Sequence, residues 1–181
     1  MIRLPALTRS ALVTLCACAI LAVPSLADDG MTVAAMKLAD GTDVGSVRFT
    51  QTAQGVVVTV AVKGLPAGRH GLHIHQTGAC APDFMAAGEH FNPGATEHGF
   101  HAPNGYHAGD LPNLDVAADG TATAEFFVPD LTIHGPVSEA LPHALHDADG
   151  AAIMIHAATD DYKTMASSGG RQACGVIIPK S

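Results

Sequence analysis

Tryptophan is missing from the 181 residues, and phenylalanine and tyrosine number only six and two. So sparse an aromatic set provides no obvious stacking platform for single-stranded nucleic acid. Basic residues are scarce as well, with nine Lys and Arg against 17 Asp and Glu. A nucleic-acid surface needs a basic footprint, so this balance argues against that class of partner. No stretch carries a long, capped apolar pattern at helical period, which argues against a helical fold. Nor is there a comfortable membrane span, because the apolar run Ala11 to Val23 is shorter than the ~20 residues a spanning helix needs. No tandem repeat or domain linker is evident, and the length suits one domain with a full core plus a short extension.

The extension is at the start. Arg3 and Arg9 precede the apolar run, and Ser25-Leu26-Ala27 is a small-residue cleavage signature, so residues 1–27 read as a cleaved export signal and residues 28–181 as the mature domain. The alternative is lipid attachment at Cys18, since Leu15-Cys16-Ala17-Cys18 faintly resembles a lipoprotein-processing motif. Losing Arg3 and Arg9 leaves seven basic against 17 acidic residues, a formal charge of −10, which suits a soluble, freely diffusing protein. Of four cysteines, Cys80 and Cys174 remain. In an oxidising compartment an isolated pair is most simply a disulfide, the alternative being two buried free thiols.

What the chain has in quantity is β-texture. MTVAAMKL runs from Met31 to the turn pair Asp40-Gly41, VGSVRFTQT follows, and Val56 to Val62 (VVVTVAV) is rich in β-branched residues. Asp119-Gly120 between NLDVAA and TATAEFFV is a strong hairpin signal. With LHIHQ, AAIMIHA and CGVIIP the count reaches about eight short strands, an antiparallel sandwich or barrel with function on its long loops. Thr77 to Asn113 and Ala158 to Ala173 show no strand pattern. A loop of about 35 residues needs something to order it, such as a metal and a disulfide anchor. Helix-like turns are expected only in Ser138 to His146.

Histidine is abundant. Seven of 11 lie between Gly68 and Asp110, and His156 closes the apolar strand Ile153-Met154-Ile155. His73 and His75 flank Ile74, and on a strand they project to one face, where two imidazoles can hold one ion. Alone, this pattern is weak and more often marks paired surface histidines than a metal site. His70, three residues earlier, falls on the opposite face and reads as structural. His90, His98, His107 and Asp110 compose a plausible four-coordinate zinc set. Taken alone, His156 is as readily a core histidine as a ligand.

Taken in order, GLHIH (71–75), Cys80, GEHFNP (88–93), Glu97-His98-Gly99, HAGDLPN (107–113), MIHAATD (154–160) and GGRQACGVI (169–177) resemble the copper/zinc superoxide dismutases of the bacterial, exported kind. The resemblance covers most of residues 30–178. It implies an eight-stranded antiparallel Greek-key β-barrel or sandwich with long metal-binding and active-site loops, one copper and one zinc per subunit, and superoxide as substrate. By position, His73, His75 and His156 match copper ligands, and His90 matches the histidine that bridges both metals. His98, His107 and Asp110 match the remaining zinc ligands. Asp160 matches the carboxylate that orients a copper histidine and a zinc histidine, and Arg171 the cation that holds the anionic substrate. Cys80 and Cys174 match the family disulfide.

In the chemistry so implied, copper alternates between Cu(II) and Cu(I), zinc stays redox-inert, and His90 gains and returns a proton. His90 and Arg171 are therefore the expected catalytic residues, the protein acts in the periplasm or otherwise outside the cytoplasm, and a homodimer is left open. The loop from His156 to Arg171 is short for the family and carries one lysine, Lys163, so the usual guidance residues are not expected to carry over. Gln76, Thr77 and Tyr106 also depart from the family pattern. His101, His134, His143 and His146 match no family ligand and read as surface histidines. A different reading is a non-catalytic copper/zinc-binding or copper-delivery protein on the same fold.

Overall fold

A computed structural model describes residues 30–181; the expected export signal and Cys18 lie outside the described residues. Eight strands form one antiparallel sheet that curls into a nearly closed barrel. They are β1 (Met31–Leu38), β2 (Asp43–Thr52), β3 (Gly55–Val62), β4 (Gly68–His75), β5 (Asp110–Val116), β6 (Ala122–Pro129), β9 (Ala151–His156) and β10 (Arg171–Ile178). Their order, β5-β4-β9-β10-β1-β2-β3-β6, is that of a Greek key. Two short strands, β7 (Leu131–Thr132) and β8 (His143–Ala144), pair in parallel outside it.

The eight strands read from the sequence all form, with shifted ends. β5 begins at Asp110 rather than Asn113 because His73 pairs with Asp110 across an irregularity that takes up Pro112 and Asn113; the break in alternation hides the strand's start. β4 likewise begins at Gly68 and β10 at Arg171. The Asp119-Gly120 turn reverses the chain through an Ala117–Thr121 backbone bond of 2.8 Å, but the two strands do not continue as a hairpin. β5 ladders with β4 and β6 with β3, so consecutive strands stand at opposite edges of the sheet. Ser138 to His146 holds no helix: Ser138 and Leu141 exchange backbone bonds, and β8 follows.

Alternation along the strands assigns two faces. Leu72, Ile74, Ile153 and Ile155 point into the barrel with Phe49, Met36, Leu111 and Leu114, all fully buried. The other face of β4 and β9 carries His73, His75, Ala152, Met154 and His156. It is nevertheless buried, because the segment after β4 folds back over it. Ala152 and Met154 pack there with Ala87, Cys174, Cys80 and Phe84 in a second, smaller apolar cluster. A one-turn 3-10 helix, Phe84–Ala87, capped by the Asp83 side chain, lies in this cover, and the Cys80–Cys174 disulfide fastens it to β10. The histidines therefore occupy a buried layer outside the barrel, between sheet and loop.

Candidate metal centre

His73 and His75 stand on the covered face of β4, with Met154 and Ala152 as their ladder partners on β9. His156 ends β9 opposite Arg171 of β10. His90 arrives from the covering loop, which joins the end of β4 through a His75–His90 bridge and a Phe91 N–H to Ile74 carbonyl bond of 2.8 Å. All four imidazoles are buried, with ligand atoms within 4.8 Å of one another.

Three of these rings are fixed by one nitrogen and leave the other bare. His73 Nε2 donates to Asp160 Oδ2 (2.6 Å), His75 Nδ1 to the Gly88 carbonyl (2.9 Å), and His156 Nδ1 approaches the Gly169 carbonyl (3.4 Å). Among the described residues, the buried side-chain polar atoms without a partner are their opposite nitrogens, His73 Nδ1, His75 Nε2 and His156 Nε2. Buried polar atoms are ordinarily satisfied. Three orphaned imidazole nitrogens facing one space are what a copper or zinc ion, both at home with imidazole, would satisfy. Burial also keeps the His75 and His156 rings uncharged and ready to donate lone pairs. It pulls the pKa of His75 down to about 2 and that of His156 to about 3.

His90 also belongs to a second group with His98, His107 and Asp110. Asp110 Oδ1 accepts from the Nδ1 atoms of His90 (2.9 Å) and His98 (3.1 Å), and His107 Nδ1 lies 3.5 Å away. Asp110 Oδ2 accepts the backbone N–H groups of Gly99 (2.7 Å) and His107 (3.2 Å). Three imidazoles and one carboxylate converging in this way suit a tetrahedral zinc ion. Burial raises the cost of charging Asp110, but the hydrogen bonds from His107, His90 and His98 outweigh it and hold its carboxyl far below the usual range. His90 itself is pulled down to about 4, by burial above all. Its Nδ1 serves the second group, which leaves Nε2 as its atom for the first.

Asp160 ties the two groups together. Its Oδ2 accepts from His73 and its Oδ1 from His98 Nε2 (3.1 Å), with further bonds from the Tyr162 N–H and the Ser167 hydroxyl. Burial works against its charge, yet the hydrogen bond from His73 and the others keep its carboxyl low. For His98, burial opposes the proton, but Asp110 and Asp160 on its two nitrogens outweigh burial and raise its pKa. Arg171 is half-buried beside the first group. Its guanidinium donates to the Phe84 and Gly88 carbonyls, so Gly88 anchors Arg171 and His75 at once. Burial lowers its pKa, but a guanidinium stays charged.

The expected site residues thus come together in one layer, and Cys80 and Cys174 are joined, 94 positions apart. His70 lies apart, its ring nitrogens facing the His156 (2.7 Å) and Pro66 (2.9 Å) carbonyls. Asn113, which carries no expected role, holds the backbone of Asp160 from both sides: Nδ2 donates to its carbonyl (2.9 Å) and Oδ1 accepts its N–H (2.8 Å). The available signal was a polar residue behind a proline in a strand, where Asn is disfavoured. Lys163 is exposed and outside both groups.

Comparison with known proteins is consistent with this arrangement. The family model for copper/zinc superoxide dismutase matches residues 44–177. A copper/zinc superoxide dismutase of Caulobacter vibrioides is 44% identical over 148 residues, 80% of this chain and 83% of that protein. The superoxide dismutase-like protein YojM of Bacillus subtilis is 38% identical over 144 residues, 77% of this chain and 71% of that protein. Among solved structures, a double mutant of a dismutase-like protein from Bacillus subtilis superposes with a TM-score of 0.74 at 37% identity, covering 82% of this chain and 98% of that one. The copper/zinc superoxide dismutase of Brucella abortus gives 0.65 at 29% identity, over 81% and 99%.

Proposed function

Because the chain belongs to the copper/zinc superoxide dismutase family, we propose that it is a working dismutase, converting two superoxide ions and two protons to O₂ and H₂O₂. The observation that carries this reading is His90. It is the one residue common to both ligand groups, and it lies beside three orphaned histidine nitrogens. His73, His75, His90 and His156 would hold copper, and His90, His98, His107 and Asp110 zinc. When bound, copper supplies the electron relay between successive superoxide ions, and zinc a fixed positive charge.

The chain's own residues do the rest. Arg171, anchored through the Phe84 and Gly88 carbonyls, presents its remaining N–H groups to the incoming anion. His90 takes up a proton at Nε2 and delivers it to the reduced product, a second proton coming from water. Asp160 keeps the His73 and His98 rings in register, the usual service of a carboxylate behind a ligand histidine. With a mature charge of −10, attraction of superoxide falls to the local field around Arg171 rather than to the molecule as a whole. The same reading places the protein outside the cytoplasm, supported by the signal-like residues 1–27 and by a disulfide of the kind that persists in oxidising compartments.

The test is metal content of the purified protein together with superoxide decay, free copper being chelated, for wild type and His90→Ala. One copper and one zinc per chain, with activity falling ~100-fold or more in the variant, is the expected result. A relative at 38% identity is called only dismutase-like, which gives weight to a second reading, a metal-binding protein without turnover. Full metal loading with no activity would establish that reading instead.

A further inference from the structure

Away from the buried centre, the parallel pair β7–β8 brings two more histidines together. Leu131 and Thr132 pair with His143 and Ala144, and the register continues through Leu145 N–H to Thr132 carbonyl (2.9 Å) and His146 N–H to Ile133 carbonyl (3.0 Å). His134 and His146 are the next residues out on each segment. Both are exposed, and their Nδ1 atoms are 3.4 Å apart, with ring centroids at 5.3 Å and planes at 83°.

We propose that His134 and His146 form a surface chelate for a divalent transition metal ion of the zinc class, separate from the buried centre. Their separation suits one ion. At a tetrahedral zinc with bonds of 2.0–2.1 Å, two nitrogens stand about 3.3 Å apart, so the pair is already at chelating distance.

The pair is also preorganised. His134 follows Ile133 and His146 follows Leu145, both fully buried in the main core. Thr132, itself buried, accepts the Gly135 N–H (3.1 Å) and closes the turn beyond His134. The two ligands therefore project from backbone the core already holds still, and an ion pays for little ordering. Both rings are exposed, so solvent can supply further ligands, and Asp147 Oδ1 is engaged by the Asp149 and Gly150 N–H groups of its own turn. The site is consequently weaker than the buried centre and exchanges readily.

Protein already loaded with copper and zinc is equilibrated by dialysis against a series of free Zn(II) concentrations, and bound zinc is counted. Wild type takes up one further equivalent. His134→Ala and His146→Ala each raise the concentration needed by about 100-fold, the gain from tethering two ligands, while retaining the metals of the buried centre. His101→Ala, which removes an exposed histidine elsewhere, leaves the uptake unchanged. No additional uptake by wild type, or uptake by the His134 and His146 variants equal to that of wild type, overturns the proposal.

Discussion

His75, His90 and His156 are kept neutral by burial, with folded pKa values of about 2, 4 and 3. In the unfolded chain a histidine takes up its proton around pH 6.5. Between about pH 6.5 and 4 the unfolded state therefore binds more protons than the native one, and stability falls as the pH is lowered. His98, raised by its two carboxylates, works the other way. Its contribution is complete below pH 6.5 and is lost as pH rises through its folded value, so it adds no slope once both states are protonated. Asp110 and Asp160 are depressed and lose their contribution only as pH falls below about 3.8. Metal-free protein should accordingly unfold at a lower urea concentration at pH 5 than at pH 7, each depressed histidine contributing up to ~1.4 kcal/mol per pH unit. Equal midpoints would mean that these rings are not held neutral. At this scale the residue types of the two buried groups were readable, because imidazole and carboxylate chemistry belongs to the single side chain. Asn113 was not, because its role lies in two bonds to a residue 47 positions away.

β4, β9 and the segment between β4 and β5 act as one element of function. The sheet contributes His73, His75 and His156, and the covering segment contributes His90, His98 and His107 together with the Phe84 and Gly88 carbonyls that seat Arg171. The disulfide is the fastening between them. It spans 94 positions, and closing so long a loop restricts the unfolded chain by about 4–5 kcal/mol in the chain-entropy model. Cys80→Ala with Cys174→Ala should lower unfolding free energy by several kcal/mol, measured by urea denaturation of the metal-loaded protein. Freeing the cover also releases Arg171, so activity per bound copper should fall as well. Unchanged stability would leave ordering of the segment to the metal ligands alone. The runs of β2 and β3 were legible through their β-branched alternation. The starts of β4, β5 and β10 were not, because glycine, proline and arginine there obscure the pattern while neighbouring strands still supply partners.

Across the whole molecule, the two ligand groups link β4, β5, β9 and both long loops through His90 and Asp160. An ion that binds only the native state stabilises it by mass action, by ~4 kcal/mol at a thousandfold excess over its dissociation constant. In a domain of this size that corresponds to roughly 10 °C in thermal midpoint. Removing both ions with a chelator should lower the calorimetric midpoint by at least that much, with stepwise recovery as zinc and then copper are returned. A midpoint indifferent to metal would show that the barrel, held by Phe49, Met36 and the leucines and isoleucines of its interior, carries the stability alone.

Strand texture, the acidic balance and the residue types of the two buried groups were legible along the chain, because alternation, charge and imidazole chemistry are local properties. Its ordered motifs also carried the family. Tertiary structure alone decided that β5 and β6, neighbours along the chain, stand at opposite edges of the sheet, and that the histidine face of β4 and β9 is buried beneath a loop. It also decided that His134 and His146, 12 positions apart, meet. Each of these depends on which backbone groups find partners across long separations, and no short stretch of sequence states that pairing.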